Sequence, residues 1–351
     1  MIGLTAQQTS HQERSVLSDG CALLDLARGW LKQGNPVVAT DILNAAVTSP
    51  EADQDRELRA MILKETGRAQ MMQSDWNVCE NNYLEAQRLF LDIGHLKGAA
   101  ECARNRANAR FQQGRYPESK ELCRIALEFA TQLEDHELRA TILNTQGAIH
   151  SATGEHREAI RILQLCLADF QTSGNVIRQG YVLLNIGLTY TELSDQQSAI
   201  DSLNEALAIA LQEKDLTLVE ICYQNIAKCY LAQREPGPAK SVIDTARKIL
   251  PGLGSNSLEA ELNLLESLAL AALGDFSTAT ELLEATYRMA DQADLAAVKA
   301  EVCSQQAQLA HDQGQSNLAA AKLEAAAVIF RQIGADKRYQ ETISKLELFR
   351  R

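Results

Sequence analysis

The amino-acid sequence predicts an all-α protein built from eight stacked helix pairs, an α-solenoid. Three observations predict this architecture. A turn position recurs every 40 residues, small residues recur at three fixed distances from that turn, and the six prolines lie only at turns, links or first helical turns. A fixed period of roughly 20–50 residues is typical of repeat proteins, whose units cannot bury their apolar faces alone and therefore stack.

The turn position sets the register of the eight repeats. It is occupied in order by Gly34, Ser74, Gly114, Gly154, Ser194, Arg234, Gly274 and Gly314. Each step is 40 residues, for example from position 34 to position 74, and no insertion interrupts the series. This regularity favours one elongated repeat array over the two or three domains that a chain of 351 residues would ordinarily contain.

Small residues at three distances from the turn predict how the helices of a pair approach each other. Seven residues before the turn lie Ala27, Gly67, Ala107, Gly147, Gly187, Ala227, Ser267 and Ala307. Five residues after it lie Ala39, Cys79, Ser119, Ala159, Ala199, Ala239, Ala279 and Ala319. Twelve residues after it lie Ala46, Ala86, Ala126, Cys166, Ala206, Ala246, Thr286 and Ala326. Antiparallel helices approach closely only where side chains are small, so we expect these positions to form the contact inside each pair.

This spacing resembles the tetratricopeptide repeat (TPR). The family pattern of Gly or Ala, aromatic, Gly, aromatic, Ala and Ala reads in the fifth repeat as Gly187, Tyr190, Ser194, Gln196, Ala199 and Ala206. The repeats exceed the common 34-residue TPR by six, as in polarity adaptors, kinesin light chains and bacterial peptide-sensing regulators. The resemblance covers about residues 20–335. It implies a right-handed TPR superhelix with a concave groove that binds protein or peptide, and it implies no chemistry.

Three segments are expected along the chain. Residues 1–19 form a flexible polar tail, residues 20–335 form the eight helix-turn-helix repeats of one solenoid, and residues 336–351 form a C-terminal capping helix. In the last segment apolar side chains recur at helical spacing, namely Tyr339, Ile343, Leu346 and Phe349. Solenoids need such caps. The same face would allow a homo-oligomer in which two chains stack end to end.

The prolines support the register, and they also point to one irregular repeat. Pro36 and Pro117 fall in the first turn of a second helix, where proline is tolerated. In the sixth repeat residues 234–238 replace the compact turn, and residues 251–254 break the following link. This repeat is therefore the candidate for a local bend, with a harmless loop variant as the alternative.

The charge and composition of the sequence limit the classes of function and the location that we expect for the protein. The net charge of −12 disfavours nucleic acid and anionic membranes, which select basic faces. The first fifteen residues lack the apolar core and basic leader of a signal peptide, and no apolar run approaches the ~20 residues that span a bilayer. The eight cysteines show no CxxC spacing and mostly fall at small or apolar positions, as reduced thiols do. We therefore expect a cytoplasmic protein without membrane insertion.

The resemblance also implies which residues contact a partner, because the first helix of each TPR lines the groove at six, nine and ten residues before the turn. These positions contribute the predicted partner-binding residues Arg28, Lys64, Arg68, Arg104, Asn105, Asn108, Asn144, Asn185, Gln224 and Asn225. The amides can pair with an extended peptide backbone, or they can be a merely solvated groove wall. The bases can select an acidic segment, or they can simply pair with their neighbours Asp25, Glu65 and Glu101.

No catalytic motif accompanies this pattern. The sequence contains no HExxH, Walker loop or nucleophile elbow, and its glycines fall at turns and close helix contacts. We therefore predict a non-enzymatic protein without cofactor or metal, an adaptor or scaffold that binds a partner peptide or protein segment in its concave groove. The alternative is a peptide-signal-sensing regulator whose superhelix changes shape on ligand binding, with its output on another chain.

Overall fold

The computed structural model describes residues 19–250 and 256–349, and within these ranges all regular secondary structure is α-helical. Residues 1–18 of the predicted tail, the predicted break at 251–254 and the last two residues of the predicted cap lie outside the described residues. None of the described helices combines the length and the apolar character that are needed to cross a bilayer.

The chain divides into two compact units, residues 1–175 and 176–351. The described helices of unit 1 are α1 (Gly20–Lys32), α2 (Pro36–Val47), α3 (Pro50–Gln54), α4 (Arg56–Met72), α5 (Trp76–Asp92), α6 (Leu96–Gln112), α7 (Tyr116–Gln132), α8 (His136–Ala152) and α9 (His156–Ser173). Those of unit 2 are α10 (Val176–Glu192), α11 (Gln196–Glu213), α12 (Leu216–Ala232), α13 (Pro236–Ile249), α14 (Asn256–Ala272), α15 (Phe276–Gln292), α16 (Ala296–Asp312), α17 (Ser316–Gln332) and α18 (Asp336–Phe349). Apart from α3 and α18, these helices form four pairs in each unit, which is consistent with the eight predicted repeats.

The turn inside each pair has the same geometry in all eight repeats. Every predicted turn residue adopts a left-handed backbone, with φ between 58° at Ser194 and 84° at Gly274. The amide of Ser194 donates to the carbonyl of Thr191 (2.9 Å), and that of Asp195 donates to Tyr190 (3.0 Å), which closes the first helix. The Asp195 carboxylate then accepts from the amide of Ser198 (3.2 Å) and caps the second helix. Residues with a Cβ are strained in this conformation, which explains why five of the eight positions are glycine.

A second series of left-handed turns lies between the repeats and was not apparent in the sequence. Its described members are Gly94, Glu134, Gly174, Lys214, Asp294 and Gly334. They follow the same 40-residue spacing, offset by 20 residues from the first series. Only three of the six are glycine, so sequence alone gave this series a weak signal.

The turn of the sixth repeat is regular, so the expectation of an irregular one was wrong. Arg234 adopts φ 61°. Its amide donates to Leu231 (3.0 Å), and the amide of Glu235 donates to Tyr230 (2.9 Å), as in the other repeats. Both prolines of this stretch fall in the first turn of α13, where backbone amides have no intrahelical acceptor to lose.

The first inter-repeat link contains a short helix of its own. Residues Pro50–Gln54 form the one-turn helix α3, which Ser49 caps by accepting from the amide of Ala52 (3.2 Å). Ala52 is buried in the core that α1, α2 and α4 share.

The small-residue positions lie at the closest approach of the paired helices. A Cβ on Gly187 would stand 2.8 Å from Cγ of Leu203 and 3.2 Å from the carbonyl oxygen of Ala199. Seven cysteines are buried and only Cys21 is exposed, as expected for thiols used as small hydrophobes. Burial raises the pKa of Cys102 and Cys166 to about 12, so both stay protonated at neutral pH.

Helix α18 packs on unit 2 through the residues that had suggested a contact between chains. Leu346 is buried with Ala307 and Leu323, and the Phe349 ring stacks on His311 with a centroid distance of 3.8 Å. Both side chains therefore make contacts within the unit, and a homo-oligomer stays a prediction.

The left-handed turns allow a matched pair of stability tests. We expect Arg234→Gly to raise the free energy of unfolding by about 1 kcal/mol, because it removes Cβ strain at φ 61°. Gly114→Ala, at φ 71°, should lower it by a similar amount. Urea unfolding followed by circular dichroism measures both changes, and equal stability of the two variants would contradict the strain argument.

Candidate functional site

A pocket opens on the side of unit 1 that is formed by its first helices α1, α4, α6 and α8, which we call the first-helix face. The pocket has a volume of about 320 Å³ and lies between α4 and α6. Its lining residues are Lys64, Glu65, Arg68, Met71, Tyr83, Glu101, Arg104 and Asn105. This unit 1 pocket brings together four of the predicted residues, Lys64, Arg68, Arg104 and Asn105.

The bases of this face pair with the neighbouring acids, as one of the two sequence interpretations expected. Lys64 Nζ lies 2.6 Å from Glu101 Oε2, which joins α4 to α6. Glu65 lies between two arginines, with Oε1 3.5 Å from Arg28 Nε and Oε2 3.5 Å from Arg68 Nη1. The pocket lining nevertheless keeps an excess of one positive charge, because its three bases face two acids.

The amides of unit 1 are less available than the sequence suggested. Asn105 is nearly buried, and its oxygen accepts from Arg104 Nη2 at 2.7 Å. Asn108 on α6 and Asn144 on α8 are half-buried and do not line the pocket. The predicted amide row is therefore only partly assembled in this unit.

The floor of the unit 1 pocket contains a buried tyrosine, Tyr83, which was not among the predicted site residues. Tyr83 comes from α5 and packs against Gly67, where an added Cβ would stand 2.9 Å from the ring. Tyr83 is 0 % exposed and Glu65 is 8 % exposed. Among the described residues, neither the Tyr83 hydroxyl nor Glu65 Oε2 has a hydrogen-bond partner. Burial raises the pKa of Tyr83, so its hydroxyl keeps its proton at neutral pH.

Three predicted residues lie in unit 2, where two of them make contacts within their own helix. Asn225 Nδ2 donates to the carbonyl oxygen of Ile221 (2.7 Å), and Gln224 Nε2 donates to Glu220 (3.3 Å). Asn185 on α10 is half-buried. None of the three lines the two depressions described next.

Unit 2 has two depressions of about 360 and 280 Å³ that share four lining residues, Leu268, Glu301, Gln305 and Arg338. Leucines of α14 form an apolar wall in the larger one, and Glu301 Oε1 lies 3.1 Å from Arg338 Nη2. Burial raises the pKa of Glu301, while Arg338 acts in the opposite direction. Acids and bases are equal in number in the larger depression, since Lys228 and Arg338 face Glu261 and Glu301.

The part of the chain that the structure describes contains no group of three or more His, Cys, Asp or Glu residues that could hold a metal ion. The absence of catalysis stays a prediction.

Comparison with known proteins identifies the repeats. Residues 98–172 match the tetratricopeptide repeat family profile. A comparison with curated protein sequences finds no match.

Solved structures share the fold at low sequence identity. Aspartyl phosphate phosphatase F from Bacillus subtilis matches with a TM-score of 0.61 and 14% identity, covering 82% of this chain and 75% of that one. The apo form of the quorum sensor NprR from B. thuringiensis matches with a TM-score of 0.57 and 12% identity, covering 94% and 98%. A Rap protein complexed with Competence and Sporulation Factor matches with a TM-score of 0.53 and 12% identity, covering 94% and 97%. Residues 98–172 therefore match the tetratricopeptide repeat by sequence, and the described helices share the fold of these solved structures.

Proposed function

We propose that this protein is an adaptor or scaffold that binds a partner peptide or protein segment on the first-helix face of unit 1. The observation that carries the proposal is the unit 1 pocket, in which four predicted residues meet with an excess of one positive charge. This charge favours a segment that carries acidic residues.

The ion pairs of the pocket do not prevent such binding. The side chain of Lys64 is 21% exposed, its partner Glu101 is 30% exposed, and Arg68 is 48% exposed. Ion pairs between partly exposed groups contribute only about 0–1 kcal/mol each. An acidic residue of a partner can therefore replace Glu101 or add to Arg68 at small cost, and the displaced carboxylate returns to water.

The other predicted residues extend this proposal along the first helices. Arg28 reaches the pocket through Glu65, and Asn108 and Asn144 continue the same side of unit 1 on α6 and α8. Asn185, Gln224 and Asn225 are proposed contacts of unit 2. A cytoplasmic location belongs to the same proposal.

Charge reversal with a matched control tests the proposal. Affinity capture from native lysate would compare the wild type with Arg68→Glu in the pocket and with Arg161→Glu on α9. Arg161 is 61% exposed, pairs with Glu158 and lies outside the pocket lining. We expect a protein that is captured by the wild type and by Arg161→Glu but lost by Arg68→Glu. Equal capture by all three would contradict the assignment to this face.

The alternative is a regulator that senses a peptide signal and changes shape. It is favoured by the two compact units of the chain and by the likeness to a Rap protein complexed with Competence and Sporulation Factor. Small-angle scattering separates the two functions. A change in the radius of gyration on adding a captured partner peptide would support the regulator, and an unchanged radius would support the adaptor.

A further inference from the structure

We infer that the unit 1 pocket recognises a carboxamide side chain, that of Asn or Gln, in the bound segment, through the Tyr83 hydroxyl and the Glu65 carboxylate. This inference rests on the proposed function, because it names the side chain that the same pocket takes.

Tyr83 is exceptional among the eight repeats. The equivalent position, nine residues after the turn, is occupied in the other repeats by Leu43, Cys123, Leu163, Leu203, Ile243, Leu283 and Leu323. All of these fill the core without a hydroxyl or amide group. The ring of Tyr83 does the same packing, since Gly67 leaves room for it. Packing therefore accounts for the ring but not for the hydroxyl.

The Tyr83 side chain lines the pocket, and no described residue forms a hydrogen bond with its hydroxyl. Tyr83 and Glu65 both line the pocket, and both are more than nine-tenths buried. A buried polar group without a hydrogen bond is costly, and two such groups lie in this pocket. The Tyr83 hydroxyl has no described partner, and Glu65 Oε2 has no hydrogen bond besides its ion pair with Arg68 at 3.5 Å. Both become satisfied if a partner inserts a hydrogen-bonding group.

The chemistry of the lining limits what that group can be. The carboxylate oxygens of Glu65 accept hydrogen bonds, so the ligand must donate to them, whereas Tyr83 can donate or accept. A lysine would meet the bases Lys64, Arg68 and Arg104, and an acidic side chain would meet Glu65. An aliphatic side chain would leave both polar groups unsatisfied. A neutral carboxamide offers two N–H donors and one oxygen, so it can donate to Glu65 and accept from Tyr83 or an arginine.

A variant that should leave the fold intact makes the inference testable. Tyr83→Phe keeps the ring and removes a hydroxyl that has no partner in the described protein, so urea unfolding should show stability equal to or above that of the wild type. The probe is a phage-displayed library of random decapeptides selected on the wild-type protein, followed by synthesis of the recovered peptide. We expect recovered peptides to combine acidic residues with an Asn or Gln.

Fluorescence anisotropy of the labelled peptide then measures the coupling. Tyr83→Phe should weaken binding about three- to tenfold, and so should replacement of the peptide carboxamide residue by Leu. The two changes together should weaken peptide binding by less than the product of the two separate fold-changes, because they remove the same contact. Peptides with Ser or Glu at that place should bind like the Leu peptide.

Three outcomes would overturn the inference. Recovered peptides without Asn or Gln would contradict the recognised group, and multiplicative effects would show that Tyr83 and the carboxamide do not meet. Unchanged affinity in Tyr83→Phe would mean that water satisfies the hydroxyl. In each of these cases Arg68→Glu would still weaken the peptide, so the proposed function would stand. If the wild type recovered no peptide, or one insensitive to Arg68→Glu, the proposed function would fall as well.

Discussion

Arg139→Ala is expected to destabilise unit 1 by about 3 kcal/mol or more, because it leaves a buried carboxylate without its main partner. Asp169, near the end of α9, is only 3% exposed. Arg139 on α8 donates to both its oxygens, with Nε 2.7 Å from Oδ2 and Nη2 bonded to Oδ1. His136 Nδ1 lies 3.2 Å from Oδ1 of the same carboxylate.

A double variant separates the lost charge pair from lost packing. Arg139→Ala combined with Asp169→Asn should recover much of the stability, because a neutral amide costs less to bury than an unpaired carboxylate. Arg161→Ala serves as the control, since it removes an exposed pair with Glu158 and should change stability by less than about 1 kcal/mol. Urea unfolding measures all three. A loss in Arg139→Ala as small as that of the control would contradict the account.

Gly187→Val is expected to destabilise unit 2 by about 2–3 kcal/mol, because the paired helices α10 and α11 leave no space for a side chain. Even a Cβ at Gly187 would stand 2.8 Å from Leu203 Cγ and 3.2 Å from a backbone oxygen that cannot move independently. The two γ-methyl groups of valine add to this conflict. Thermal unfolding by circular dichroism measures the effect.

Gly29 provides the matched control for this prediction. It is also a helical glycine in a first helix, but nothing lies within 4 Å of its Cβ position. Gly29→Ala should therefore raise stability by up to about 1 kcal/mol through helix propensity alone. If Gly187→Val proved as harmless as this control, close helix approach would not be the reason for the small-residue positions.

The sequence predicted those features of the fold that each repeat determines locally. A left-handed turn favours glycine, and a close helix contact favours glycine or alanine. Residues such as Gly114 and Gly187 therefore reveal the repeat register in the sequence. The second turn series was not recognised because Glu134, Lys214 and Asp294 occupy three of its positions. Such residues occur at many surface positions and do not indicate a left-handed turn. The prolines after Arg234 suggested an irregular turn. The structure shows that they lie in the first turn of α13, and this position depends on where the backbone of that helix begins.

The candidate site was predicted only in part, because it depends on side chains that meet across repeats. The bases of the unit 1 pocket were assigned from the repeat register alone. Their pairing, Lys64 with Glu101 and Arg68 with Glu65, depends on side-chain directions and on the distance between α4 and α6. Tyr83 occupies a register position that is apolar in the other repeats, and its ring is buried against Gly67. Its hydroxyl is significant only because Tyr83 and Glu65 line the same pocket.

Site-specific photo-crosslinking tests most directly the claim that a partner segment lies on the first-helix face of unit 1. p-Benzoylphenylalanine would replace Asn108 on α6, next to the pocket residues Arg104 and Asn105, and in a second variant Arg161 on the exposed side of α9. Irradiation in native lysate should join the partner to the chain from position 108 and not from position 161. Crosslinking from position 161 alone would contradict the account and assign the partner to the opposite side of the helix pairs.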